Sequence, residues 1–279
     1  MQADLFSLFW PIKRLALWVS KRKIVKMEKE GDVEGLAEAL LGGSGELRLE
    51  AALALGRIGG KSAVELLAST LHGNDSDARR CAAIALGATG DARAIPPLIE
   101  SLGDYSGDVR NEAVKALTKI GAPAVEHLVG RLADGCDRRM EGLLVEALSG
   151  IGEPAIGPLI GLLDSPGPEA RKKAAIALGE AGSQRAVKPL IACLKDEDTG
   201  VRKAAIVSLG KLGSHDAVEP LLGCLNDPDP SIRGKAAWAL GRIGDLKAID
   251  PLLLLLDDKD QNVSYEANRA LYCLGWNRL

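Results

Sequence analysis

The side chains best suited to transition-metal binding or nucleophilic chemistry are few in this 279-residue chain, and their spacing assigns them to neither. His72, His127 and His215 are widely scattered and are followed by Gly73, Leu128 and Asp216, which gives no ligand constellation. Cys81, Cys136, Cys193, Cys224 and Cys273 are odd in number and contain no C-x-x-C pair, which fits a reduced, cytoplasmic compartment better than a zinc site or a disulfide framework. The stretch Gly56-Arg57-Ile58-Gly59-Gly60-Lys61-Ser62 ends like a phosphate-binding loop. Its first glycine is one residue too close, however, and no strand precedes it, so it reads as a turn between helices. Asn262-Val263-Ser264 matches a glycosylation sequon but falls in a predicted helix of a chain without a recognisable secretion signal. No catalytic, cofactor-binding or metal-ligating residue is therefore assigned, and the expectation is a protein without catalysis.

The elements that would have to position any site are set by an internal repeat. A leucine preceded by a small residue recurs at Leu55, Leu86, Leu117, Leu148, Leu178, Leu209, Leu240 and Leu271, at intervals of 31 residues with a single 30. Four residues after each stands a glycine: Gly59, Gly90, Gly121, Gly152, Gly182, Gly213, Gly244 and Gly275. Each unit reads as two amphipathic helices. Val201, Ala205, Ile206, Leu209 and Leu212 share a face in the first helix, and Val218, Leu221, Leu222 and Leu225 in the second. Ser44, Asp75, Ser106, Asp137, Gly167, Asp198, Asp229 and Asp260 precede the first helices as N-caps, and the recurring glycines end them.

The column Ala54, Ala85, Ala116, Ala147, Ala177, Ser208, Ala239, Ala270 lets neighbouring helices approach to the short end of the usual spacing, roughly 8–10 Å. This explains an aromatic content of only 3% beside 47% hydrophobic residues. Because a lone helix pair cannot bury its apolar face, the units must stack. The predicted fold is an all-α superhelix of about eight 31-residue layers: an N-terminal helix in residues 1–31, then a solenoid over 32–279. The solenoid comprises a half unit near Asp32–Leu41, seven helix pairs, and a lone helix near Asp260–Gly275. The turns after Gly121 and Gly152 read as one residue shorter than the others.

The pattern V-R-x-A-A-x-x-A-L-G-x-I-G-D-x-x-A-x-x-P-L-L-x-x-L-x-D, as in Ser231 to Asp258 (SIRGKAAWALGRIGDLKAIDPLLLLLDD), resembles the HEAT-like repeat of the phycobilin-lyase type over roughly residues 32–275. The resemblance implies an α-α solenoid and is compatible with scaffolds, chromophore lyases and a di-iron hydroxylase. The hydroxylase uses His-Glu dipeptides, and this chain has none. The resemblance also implies an inter-repeat ladder for Arg48, Arg79, Arg110, Arg171, Arg202 and Arg233, with Asp75, Asp104, Asp196 and Asp227 of the preceding loops as natural partners. The fourth unit departs from the pattern, with Glu141 at the Arg position.

In repeats of this kind the second helices line the concave side. At 100° per residue Val64, Leu67, Ala68 and Leu71 face the core, leaving the columns of Leu66 and Ser69 outermost. The second column continues through Glu100, Gly130, Gly161, Ala192, Gly223 and Leu254, and its flank includes Leu162, Cys193 and Cys224. These nine form the candidate groove, its small flat floor suited to a peptide or a partner helix. The equal alternative is that small residues here only set curvature.

Residues 1–30 carry a net +4 and the remainder −7. An acidic body repels phosphate backbones and argues against nucleic-acid binding. Phe6, Phe9, Trp10, Lys13, Arg14, Trp18, Lys21, Arg22 and Lys23 have the composition of an interfacial membrane helix, against the alternative of a cap over the first layer. The expected function is a cytoplasmic protein-binding scaffold. A tetrapyrrole lyase or cofactor chaperone and a peripheral membrane adaptor remain alternatives.

Overall fold

A computed structural model describes residues 20–276, in which there is no strand. Two compact units divide the chain at Ala124 and Val125. The first holds α1 (20–30), α2 (Val33–Gly42), α3 (Gly45–Ile58), α4 (Gly60–Thr70), α5 (Ser76–Thr89), α6 (Ile95–Ser101) and α7 (Gly107–Ile120). The second holds α8 (Val125–Ala133), α9 (Arg138–Ile151), α10 (Glu153–Leu162), α11 (Pro168–Ala181), α12 (Val187–Ala192), α13 (Thr199–Leu212), α14 (Val218–Cys224), α15 (Pro230–Ile243), α16 (Ile249–Leu254) and α17 (Gln261–Cys273). Thus α2 is the half unit, α3 to α16 alternate first and second helices, and α17 is the lone last helix.

All eight residues read as N-caps occupy that position. The aspartates Asp75, Asp137, Asp198, Asp229 and Asp260 accept backbone N–H groups of the first turn, whereas Ser44, Ser106 and Gly167 make no side-chain cap bond. The shorter turns have a backbone cause. At Gly182 φ is 72° with ψ 7°, and Ser183 and a 3-10 turn separate it from α12. At Gly152 φ is 78° with ψ −135°, a combination side chains disfavour, and α10 begins at once with Glu153.

Consecutive first helices meet where a glycine follows the repeat leucine. A Cβ built on Gly87 would lie 2.6 Å from Ala116 Cα, and one on Gly241 2.7 Å from Ala270 Cα. Gly179 sits as tightly on Ser208, and Gly210 on Ala239 and Trp238. The alanine column and this glycine column therefore form one device: two backbones touch with only a methyl group between them. Ser208 is the one polar member of the alanine column, and its hydroxyl donates to the Ala175 carbonyl at 2.7 Å.

The arginine ladder is present, with its direction reversed from expectation. Each arginine reaches back to carbonyls before its own helix, and all but Arg110 reach forward to a carboxylate of the following loop. Arg79 Nη1 donates to Gly73 O and Asn74 O, while its Nε and Nη2 donate to Asp104 at 2.7 and 2.9 Å. Arg171 repeats this with Ser165 O, Pro166 O and Asp196, and Arg233 with Asp227 O, Pro228 O and Asp258. Arg48 pairs with Asp75 at 2.9 Å and Arg202 more loosely with Asp227 at 3.8 Å. The preceding loop turns its peptide oxygens toward the guanidinium, so its carboxylate is left for the repeat before. The pairing interval is 25 residues except for Arg48–Asp75, where it is 27, and 25 residues beyond Arg110 the sequence has Gly135 instead of an acid.

Residues 20–30 pack on the first layers of the solenoid. Ile24 is buried, Glu28 accepts from Arg57 at 2.6 and 2.8 Å, and Lys21 pairs with Glu46 at 3.0 Å. Phe6, Phe9, Trp10, Lys13, Arg14 and Trp18 lie outside the described residues.

Gly87→Val should force α5 and α7 apart and cost about 1–3 kcal/mol, read as a melting temperature lower by several degrees in calorimetry. The ladder carboxylates supply a pH dependence. Bonds from Arg171 hold Asp196 below the ordinary carboxylate value, and bonds from Arg233 do the same for Asp258. For Asp104, burial pushes upward, but Arg79 and the Ser106 N–H outweigh it. Folded values below the unfolded one, about 3.9, make this stabilisation complete above that pH and lost as the pH falls through the folded values. Acid titration of the melting temperature should show that loss below about pH 4, and a triple Asn variant at Asp104, Asp196 and Asp258 should be less stable at pH 7 with a flatter acid limb.

Candidate functional site

Three of the short second helices carry a proline in their first turn. Pro189, Pro220 and Pro251 each stand third in the α-helical part of α12, α14 and α16, where the missing N–H falls in the first turn and breaks no helical bond. The outward column is exposed along its described length: Glu100 on α6, Gly130 on α8, Gly161 on α10, Ala192 on α12, Gly223 on α14 and Leu254 on α16. No heavy atom lies within 4 Å of a Cβ built on Gly130, Gly161 or Gly223, so these glycines are small without being packed.

The flanking column is turned further inward. Cys193 is buried at 9% exposure, and Leu162 and Cys224 are half-buried. Its polar members bond back to the carbonyl four residues earlier: Thr70 to Leu66 O, Ser101 to Pro97 O, and Cys224 Sγ to Pro220 O at 3.5 Å. Burial raises the Cys193 and Cys224 thiols above their ordinary value, so they are protonated near neutral pH and behave as small apolar groups.

The column on the other side, assigned to the core through Ala68, is buried as expected at Ile99 and Val129 but half-exposed farther along. In the second unit it carries Ile160, Ile191, Leu222 and Leu253. This aliphatic strip is what the sequence reading missed, and a run of large apolar residues beside a glycine column was its signal. It opens most between α14 and α16. A groove of about 620 Å³ is lined there by Leu222, Gly223, Leu225, Pro251, Leu254 and Leu255, with Glu219, Asn226 and Asp250 beside them. Leu254 is 81% exposed, an isolated large aliphatic side chain in water at the groove's edge.

The remaining sequence signals take structural places. His127 is exposed on α8, His72 lies 3.9 Å from Glu100, and His215 Nδ1 lies 3.1 Å from Asp245. Among the described residues no group of three or more His, Cys, Asp or Glu side chains is arranged to hold a metal ion. Lys61 of the G-K-S stretch opens α4 and lies 3.7 Å from Glu65 one turn on, as in an ordinary helix start. Among the described residues no helix is long and apolar enough to cross a membrane.

The chain has no significant match among curated proteins. Among solved structures it is similar to human deoxyhypusine hydroxylase, at 24% identity over 95% of this chain and 100% of the other, with a TM-score of 0.40. It is also similar to an engineered protein, at 26% identity over 87% of this chain and 78% of the other, with a TM-score of 0.39. The likeness to Kap95p, from a structure of its binding to RanGDP, has a TM-score of 0.52 at 14% identity, covering 92% of this chain and 42% of that one. That likeness is one of fold, an all-α solenoid. A family model for HEAT repeats matches residues 33–108, 75–149, 156–231 and 189–272, almost the whole of the repeating region, and the chain therefore belongs to the HEAT-repeat family.

Proposed function

We propose that this protein is a non-catalytic scaffold that captures a protein partner on the outward face of its second helices. The observation that carries the reading is the α14–α16 groove: exposed Leu254 and half-exposed Leu222 beside a glycine that leaves room for a partner backbone. An extended segment or a helix laid across Gly161, Ala192 and Gly223 would cover Ile160, Ile191 and Leu222, and Leu254 would anchor it at one end. Membership of the HEAT-repeat family supports the reading, because members such as Kap95p bind a protein. Within that family we assign the repeat to the phycobilin-lyase type on its consensus, and take that as a statement about packing rather than chromophore chemistry.

The N-terminal helix fits the role of a cap. Ile24 and the Glu28–Arg57 pair bind residues 20–30 to the first layers, and Lys21, one of the cations suited to anionic lipid, is paired with Glu46. If residues 1–19 nevertheless hold the protein on membranes, deleting them will abolish sedimentation with phosphatidylserine vesicles. The cap reading expects equal sedimentation of both forms.

Gly223→Arg should abolish partner capture from an extract of the native source while leaving helicity and melting unchanged or slightly improved, since the site is open and glycine is a poor helix former. Leu254→Glu should do the same. Capture of an unchanged set of proteins by both variants would refute the assignment of this face.

A further inference from the structure

A second groove lies on the first-helix side of the same unit, where two departures from the repeat coincide. Along α9 the glycine of the helix crossing is replaced by Ser149, which the register sets against Ala177 of α11. The added side chain prevents the backbone contact that Gly179 makes with Ser208 one layer on, and α9 packs less extensively on α11 than α11 does on α13. The ladder is also missing here: Glu141 stands at the Arg position and Ser165, six residues before Arg171, at the acid position. Without either tie a groove of about 450 Å³ opens between the two helices, lined by Arg138, Glu141, Gly142, Val145, Glu146, Ser149, Ile176 and Glu180.

The chemistry of this groove is specific. Val145 and Ile176 make an aliphatic floor, and Ser149 Oγ is sequestered without a hydrogen-bond partner. Three carboxylates face one guanidinium around the rim. Glu180 is paired with Lys211 at 2.5 Å, whereas among the described residues Glu141 and Glu146 form no ion pair. An aliphatic floor under unpaired carboxylates is complementary to a side chain with an apolar stem and a cationic end. We propose that the α9–α11 groove binds a basic amphipathic peptide segment of a protein partner, seating a Lys or Arg stem on Val145 and Ile176 and its charge between Glu141 and Glu146. The site is separate from the second-helix face and does not depend on it.

The test is fluorescence anisotropy of the full chain with a labelled helical peptide carrying Leu and Lys on adjacent faces, beside its Lys→Glu analogue. Gly142→Leu should fill the groove, because a Cβ there meets nothing within 4 Å and leucine favours the helix. That variant should lose at least about tenfold in affinity with an undiminished melting temperature, and so should the pair Glu141→Gln and Glu146→Gln. Gly223→Arg should bind the peptide normally, which separates failure here from failure of the second-helix face. The proposal is overturned if the Glu analogue binds as well as the Lys peptide, if Gly142→Leu retains full affinity, or if free n-butylamine binds as tightly as the peptide.

Discussion

The contact on which the rest depends is the touching of successive first helices at a glycine. A helix carrying leucine at its crossing point holds its neighbour near the far end of the roughly 8–10 Å range, and a glycine against an alanine brings it to the near end. At Gly87, Gly179, Gly210 and Gly241 a single added Cβ would collide with the next layer, so layer spacing is fixed by backbone rather than by adaptable side chains. The scarcity of rings follows from that thickness, and Trp238, whose ring edge lies against Gly210, is admitted where its neighbour has no side chain. The arginine ladder acts at the other end of each first helix. At Arg79, Arg171 and Arg233 it ties the guanidinium to peptide oxygens behind and a carboxylate ahead, so that both charged partners keep their hydrogen bonds although little water reaches them.

Spacing set on the first helices leaves the second helices free to vary. Their outward positions bear little packing demand, and from α8 onward the chain places glycine, alanine and one leucine there. The α14–α16 groove is thus a consequence of the scaffold as well as a surface upon it. The α9–α11 groove is its counterpart on the other side, appearing where the spacing device itself is interrupted by Ser149.

Features set by local backbone chemistry were legible in the sequence. The N-cap and C-cap positions follow from which residues can satisfy a helix end, and the shortened turn at Gly152 from a single missing residue. Geometry that depends on neighbours was less legible. The ladder's direction was misread because Asp104, Asp196 and Asp227 each lie six residues before one arginine and 25 after another, and the fold of the loop selects the more distant one. The outward face was placed correctly at Gly223 and Leu254 in so far as exposure is concerned, but its edges were misjudged. The flank is as buried at Thr70 and Ser101, in the α-helices α4 and α6, as at Cys193 and Leu255, where 3-10 turns begin, so the column turns inward whatever the local winding. Ala68, small and unremarkable, concealed that its column carries Ile160, Ile191, Leu222 and Leu253 at half exposure farther along.

The central claim, that the glycine at a first-helix crossing sets the distance between layers where it occurs, is tested most directly by the α9–α11 axial separation in crystal structures of the unaltered protein and of Ser149→Gly. The account predicts a separation wider than that of α11 and α13 in the unaltered protein, closing to match it in the variant with loss of the groove. Equal separations in the two structures would contradict it.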